Sequence, residues 1–236
     1  MAQEFKALQV QQVEKKVFTR EIVTRNVDDL DAGELVVKVH YSSLNYKDAL
    51  SATGNPGVTR EFPHTPGIDA AGVVVSCEND RFQPGDQVIV TSYDLGMETD
   101  GGFGQMIRVP SKWALELPEG LTLKESMMLG TAGLTAALSI QELIESDVSP
   151  ACGPILVTGA TGGVGSLAVA MLAKAGFSVT AVTGKMDQED YLKGLGAERV
   201  ISRETLMTGS DRPMLKTTWA GVIDCVGGEM LATAIK

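Results

Sequence analysis

Histidine and cysteine, the side chains that most often hold transition metals, are scarce: two and three in 236 residues. Cys77, Cys152 and Cys225 are odd in number and widely spaced, with no CxxC and no metal-ligand grouping. That pattern is neither a zinc finger nor a disulfide scaffold, and it reads as reduced, buried thiols in a cytoplasmic protein. No basic start followed by an apolar run opens the chain, so no signal peptide is read. No uninterrupted apolar run is long enough to cross a bilayer, and no low-complexity tract or long disordered tail is present. Basic residues are outnumbered, 20 Lys and Arg against 30 Asp and Glu, and no basic stripe interleaves with aromatics. Nucleic acid is therefore not expected as the main partner. A small phosphate pocket is still compatible with that balance, because local backbone dipoles and one or two cations suffice to build it.

What is present divides in two. The first half reads as short strands. In "ELVVKVHYSS", Leu35, Val37, Val39 and Tyr41 alternate with Val36, Lys38, His40 and Ser42, which predicts a strand with the first set on its buried face. "IDAAGVVVSC", "GDQVIVTS" and "GGFGQMIRVP" are further strands between Pro and Gly punctuation, as in a small barrel or sandwich. "KESMMLGTAGLTAALSIQELIES" is rich in Ala, Leu and Met and reads as a helix or broken helix pair at the domain joint. Beyond it, "PILVTG", "FSVTAVTG", "RVI" and "WAGVIDCVG" are strands that alternate with helices, so a parallel sheet with helices on its faces is expected. A doubly wound dinucleotide domain has about six strands. Four are read here, and the chain ends inside the following helix, as though the C-terminal half of that domain were cut off. The expected domains are residues 1–125 and 126–236.

The segment "VTGATGGVG" between the first of these strands and its helix carries the chemistry. Ala160, Gly162 and Gly165 fit G-x-G-x-x-G with one small substitution; the turn from Ala160 through Thr161, Gly162, Gly163 and Val164 to Gly165 would present the helix N-terminus to a pyrophosphate. A P-loop is excluded because Gly184-Lys185 is followed by Met186. A short-chain dehydrogenase would carry its glycine motif near the N-terminus and a Tyr-x-x-x-Lys downstream; here the motif is central, and Tyr191 and Lys193 have the wrong spacing. NAD binders usually place an acidic residue at the end of the second strand. This strand ends in Thr183, Gly184 and Lys185, and Arg203 follows the third. A hydroxyl, a glycine and cations suit a 2′-phosphate, so NADP(H) is expected. The alternative for Lys185 and Arg203 is ordinary solvated surface charge.

Taken in order, "SSLNYKDAL", "FPHTPGIDAAGVV", "FQPGDQVIV", "DGGFGQMIRVP", "LGTAGLTAAL", the glycine segment through "AVTGK", and "YLKGLGA" resemble the medium-chain dehydrogenase/reductase superfamily over nearly the whole chain. Within it, "LNYKDAL", "HTPGIDAAG" and "AVTGK" look like the acryloyl-CoA reductase branch, also labelled quinone oxidoreductase. The resemblance implies an α/β protein with a GroES-like catalytic domain and a Rossmann domain, NADPH as cofactor, no zinc, and homodimeric full-length relatives. Zinc alcohol dehydrogenases of the superfamily carry Cys where this chain has Asn45 and Gly-His-Glu where it reads Gly67-Ile68-Asp69, and their third ligand falls near Gly130. Asn, Ile and Gly make no zinc site. Reduction of a double bond conjugated to a carbonyl is the expected reaction: hydride goes to the β-carbon, and hydrogen bonds hold the enolate until a proton arrives. The resemblance sets Asn45, Tyr46 and Thr131 beside the nicotinamide. Tyr46 would contact the cofactor, orient substrate or pass a proton, and Asn45 would bond the substrate or the ring carboxamide; a packed tyrosine with no such task stays open. Asp48 is expected to cap or pair locally, and Lys47 to be solvated. The substrate class is a short enoyl-CoA thioester or a quinone. A non-catalytic, nucleotide-binding redox sensor or scaffold is the alternative of another kind.

Overall fold

The computed structural model describes residues 3–236 and divides into two compact units, Met1–Thr131 and Ala132–Lys236. The sequence reading set its boundary at 125/126, and the difference falls inside one helix.

In the first unit, β1 (Glu4–Glu14) and β2 (Val17–Asn26) form an antiparallel hairpin closed by Lys15 and Lys16. β3 (Leu35–Ser42), α1 (Tyr46–Ala52), β4 (Asp69–Cys77), β5 (Gln87–Thr91), β6 (Met106–Val109) and β7 (Ala114–Glu116) follow. The five later strands make one antiparallel sheet in the order β6-β3-β4-β5-β7. Its core is aliphatic, including Leu35, Val37, Val74, Val88, Val90, Ile107 and Val109. Alternation along β3 holds from Leu35 through Val37 to Val39, which share this core. Val36, on the other face, is buried as well, in a second cluster with Phe5, Ala7 and Met106. Tyr41, expected inside, is 43% exposed. A register shift against β4 lies between Val39 and Tyr41, and such a bulge interrupts the period of two.

α2 (Leu123–Glu145) begins in one unit and ends in the other. Leu123 and Met127 pack with Ala71; Ala136 and Ile140 join the core of the second unit. By length and composition alone α2 is long and apolar enough to cross a bilayer. Non-helical angles at Gly130 (φ 52°, ψ −156°) divide it, and each piece is shorter than the ~20 residues a span needs.

The second unit runs β8 (Ile155–Val157), α3 (Gly163–Lys174), β9 (Val179–Thr183), α4 (Glu189–Gly194), β10 (Arg199–Ser202), α5 (Arg203–Leu206), β11 (Gly221–Ile223) and α6 (Gly228–Ile235). Its strands are all parallel, in the order β10-β9-β8-β11. The first strand is thus central, and the order reverses direction beside it, which is where open α/β sheets bind ligands. Leu172, Ala168 and Val169 bury one stripe of α3. Gly176 ends that helix with φ 87°, and Phe177 N–H bonds back to Leu172 O at 3.0 Å, as a left-handed helix stop requires.

Candidate active site

The segment "LNYKDAL" is not an irregular turn. Asn45 has extended angles and caps α1. Asp48 closes half of a capping box: its Oδ2 accepts from Asn45 N at 2.7 Å, and its Oδ1 accepts from Ile68 N at 2.9 Å. One carboxylate therefore ties the start of α1 to the start of β4. Asp48 is 3% exposed, and burial pushes its carboxyl above the ordinary range despite those bonds.

Asp69 opens β4 and has no exposed surface. Five hydrogen bonds converge on it: from Ser43 Oγ, from Asn45 Nδ2 at 3.0 Å, from Thr91 Oγ1 at 2.5 Å, and from Thr131 N and Oγ1 at 2.9 and 2.6 Å. Burial alone would push this carboxyl up. The donors of Ser43, Thr131 and Thr91 together outweigh burial and hold it below its ordinary value. Asn45 also donates from Nδ2 to Ser43 Oγ at 2.8 Å. A carboxylate only accepts, so the bond to Asp69 fixes which end of the amide faces it. Both N–H bonds of Asn45 are engaged. Gly130 passes against the same cluster: a Cβ there would stand 2.7 Å from Asp69 Oδ2 and 3.2 Å from Ser43 Oγ. Tyr46, the first residue of α1, is 81% exposed, and Lys47 is exposed too.

In the second unit the glycine turn is shaped by contacts. The left-handed residue is Gly159 (φ 59°), one place before Ala160. Ala160 is fully buried and donates its N–H to Val182 O at 3.1 Å. A Cβ on Gly165 would lie 2.4 Å from Gly159 O, so the helix packs on the turn only because that position is glycine. Gly162 caps α3 with no side-chain bond to the helix N–H groups. Gly162 and Gly163 are exposed, and Thr161 and Val164 half-buried. Uncapped N–H groups at the start of a twelve-residue helix, beside the switch point, are what an anionic pyrophosphate requires. At the tip of β9, Thr183 is buried. Its hydroxyl accepts from Lys185 N at 2.9 Å and lies 3.4 Å from Thr161 Oγ1. It shapes the tip; the exposed groups there are Gly184 and Lys185. The Arg203 guanidinium lies over Gly184, where a Cβ would meet Arg203 Cζ at 2.9 Å.

Two family models match: an alcohol dehydrogenase GroES-like domain over residues 31–119 and a zinc-binding dehydrogenase over residues 163–236. "Putative quinone oxidoreductase YhfP" of Bacillus subtilis is 47% identical over 98% of this chain and 70% of its own length. The acrylyl-CoA reductase AcuI of Ruegeria pomeroyi is 43% identical with the same two coverages. This chain belongs to the zinc-independent medium-chain dehydrogenase/reductases. The structure of YhfP with NAD bound matches with a TM-score of 0.95 at 46% identity, over 99% of this chain and 71% of that one. The yhdH oxidoreductase of Salmonella enterica in complex with NADP matches at 0.91 and 42%, over 96% and 69%. Asn45 and Asp69 meet in one hydrogen-bonded cluster, which Gly130 approaches closely. Among the described residues no group of three or more His, Cys, Asp or Glu side chains is placed to hold a metal ion.

Asn45 and Thr131 are thus brought together, with Tyr46 next in the chain. The glycine turn and the β9 tip form the other group, in the other unit. Asp69, Ser43 and Thr91 escaped the sequence reading as a cluster. Asp69 was visible only as a residue that is not a zinc ligand, and an Asp at the head of an apolar strand was the signal to follow, because burial there demands donors.

Proposed function

We propose that this oxidoreductase uses NADPH to reduce the carbon–carbon double bond of a short α,β-unsaturated thioester, of which acryloyl-CoA is the type. The observation that carries the reading is the Asp69 cluster. Where zinc enzymes of the superfamily would hold their metal, this chain has Asn45, already committed to the Asp69 carboxylate, with Ile68 and Gly130 offering no ligand, so an alkoxide has no Lewis acid to rest on and alcohol oxidation loses its means of stabilisation. Relatives named acrylyl-CoA reductase, at 43% and 44% identity, support the thioester. YhfP at 47% supports a second reading with the same hydride chemistry, in which a quinone is reduced.

The residues fit the cofactor. The uncapped start of α3 from Gly162 to Gly165 would hold the pyrophosphate, and Lys185 and Arg203 at the tip of β9 the 2′-phosphate, with no carboxylate at residues 183–185 to repel it. Bound NADPH supplies the hydride. The chain's own residues supply placement. Asn45 commits both amide N–H bonds to Ser43 and Asp69 and has none left for an enolate oxygen. The enolate's proton donor is then the exposed Tyr46 hydroxyl or solvent, with Tyr46 also able to contact the cofactor. Thr131 supports the site through Asp69.

The test follows the nicotinamide absorbance with acryloyl-CoA and with a series of quinones. Turnover of acryloyl-CoA with NADPH preferred over NADH is expected. Quinone turnover without thioester turnover would select the second reading; NADH as the better donor would refute the role of Lys185 and Arg203; cofactor binding with no reduction of any enone would leave a sensor or scaffold.

A further inference from the structure

We infer that a cationic, aromatic-walled cavity at the far end of α1 binds the phosphate-bearing adenosine end of the coenzyme A thioester; the inference rests on the thioester reading above. The first observation is charge. The chain carries a net charge of −10, yet Lys15, Lys16 and Arg60 line one cavity of about 430 Å³, within the ~300–1,000 Å³ of small-ligand clefts. The arrangement of these cations comes from two separate elements, the β1–β2 turn and the loop after α1. Among the described residues neither lysine has an ion-pair partner, and Arg60, its side chain largely in solvent, reaches Glu98 only at 4.0 Å. Such a pair contributes little and yields readily to a phosphate.

The second observation is the wall. Phe18 and Phe62 line the same cavity, their rings 5.0 Å apart and tilted by 56°. Both are half-buried, so they offer a fixed apolar face on which a purine can stack. Gly54 makes room for the Phe18 ring, since a Cβ there would fall 2.0 Å from it. The hairpin that carries Phe18 is tied to α1, since Arg20 Nε donates to Ala52 O at 2.7 Å. Cations beside an aromatic face suit a nucleotide better than a bare anion or a hydrocarbon. Lys15 and Arg60 also line the adjoining groove, beside Glu14 and Glu61, whose charge would repel a phosphate there and favour the cavity side that Lys16 shares with them.

The third observation is placement. α1 has Asn45 and Tyr46 at its start and Thr53 and Gly54, which line the cavity, at its end. Its seven residues rise about 10 Å, a gap that the flexible pantetheine arm of CoA bridges. The acyl group at one end of α1 and the nucleotide at the other are parts of one substrate.

The test uses this chain with free CoA, inorganic phosphate, acryloyl-CoA and acryloyl-pantetheine. Calorimetric titration is expected to show CoA binding, weakened about tenfold by Lys15→Glu and by Arg60→Glu, as the loss of one charge-assisted contact predicts. Lys15→Ala, milder at an exposed site, should weaken it in the same direction. The ratio of KM for acryloyl-CoA to KM for acryloyl-pantetheine should rise about tenfold in each charge-reversal variant. Absence of CoA binding to the unmodified chain overturns the inference, as does unaltered CoA affinity in both charge-reversal variants. Displacement of CoA by equimolar inorganic phosphate also overturns it, by showing a bare anion site. If neither thioester is reduced while CoA still binds and the variants weaken it, the thioester reading of the active site fails and the pocket stands.

Discussion

Asp69 is a buried carboxylate without a cation, kept charged by five donors. Its replacement by Asn should be costly, because an amide offers one acceptor oxygen and turns an NH₂ group toward donors. About 2–4 kcal/mol of unfolding free energy is the expected loss, read from urea denaturation. The pH dependence has a defined sign. The folded pKa of Asp69 lies below its ordinary value, so its stabilisation is complete above the unfolded pKa of about 3.9 and disappears as pH falls through the folded value. Asp48 is raised by burial and acts oppositely, its ionisation weakening the fold as pH rises past about 4. Urea midpoints measured from pH 3 to 6 should therefore show Asp69→Asn losing less stability at the acid end than the parent chain does. At the cofactor tip, Lys185→Glu replaces attraction by repulsion. The preference for NADPH over NADH in kcat/KM should fall about a hundredfold, two steps of 1.4 kcal/mol. Steady-state rates with the two cofactors check this, and an unchanged ratio would return Lys185 to the solvated surface.

The elements around these residues were legible to different degrees, for physical reasons. The β8–α3–β9 unit was plain in the chain because its signals are local: an apolar strand, a glycine turn, a helical stripe and a glycine stop lie within thirty or so residues of one another, a span typical of such units. The break in α2 was legible as a "helix or broken helix pair", because Gly130 interrupts an otherwise helix-favouring run. Two points of the β3 reading were not: the exposure of Tyr41, which follows a bulge that depends on the partner strand, and the burial of Val36, whose cover of Phe5, Ala7 and Met106 comes from other strands. α1 was hidden as well. Seven residues are too few for a periodic pattern, and the capping aspartate that stabilises the helix has its second bond to Ile68, twenty positions away. The Asp69 cluster gathers Ser43, Thr91 and Thr131 from distant parts of the chain, and no local spacing announces such a meeting. Two glycines give element-scale expectations. Gly130→Ala forces a side chain into a left-handed backbone position and toward Asp69 Oδ2. It should lower stability by about 1–3 kcal/mol, with hydrogen exchange rising at Thr131 and Ser43. Gly165→Ala would press on Gly159 O, and its exchange should rise along β8 and the start of α3 instead.

Across the whole molecule, two units share one interrupted helix, and each has its own core. A ligand whose phosphates bind in the second unit should reveal that division. NADP at a hundredfold excess over its dissociation constant adds about 2.7 kcal/mol to the state that binds it. Amide exchange should slow in β8, α3 and β9 more than in the antiparallel sheet; uniform protection would mean that the two units open together. The closed Asp69 cluster also bears on redesign. Exchanging Asn45 for Cys would supply one thiolate and still leave Ser43, Thr91 and Thr131 directed at a carboxylate, with Gly130 packed against it. A metal centre needs several ligands at once, so no single exchange here builds one, and each costs a donor that the buried Asp69 uses.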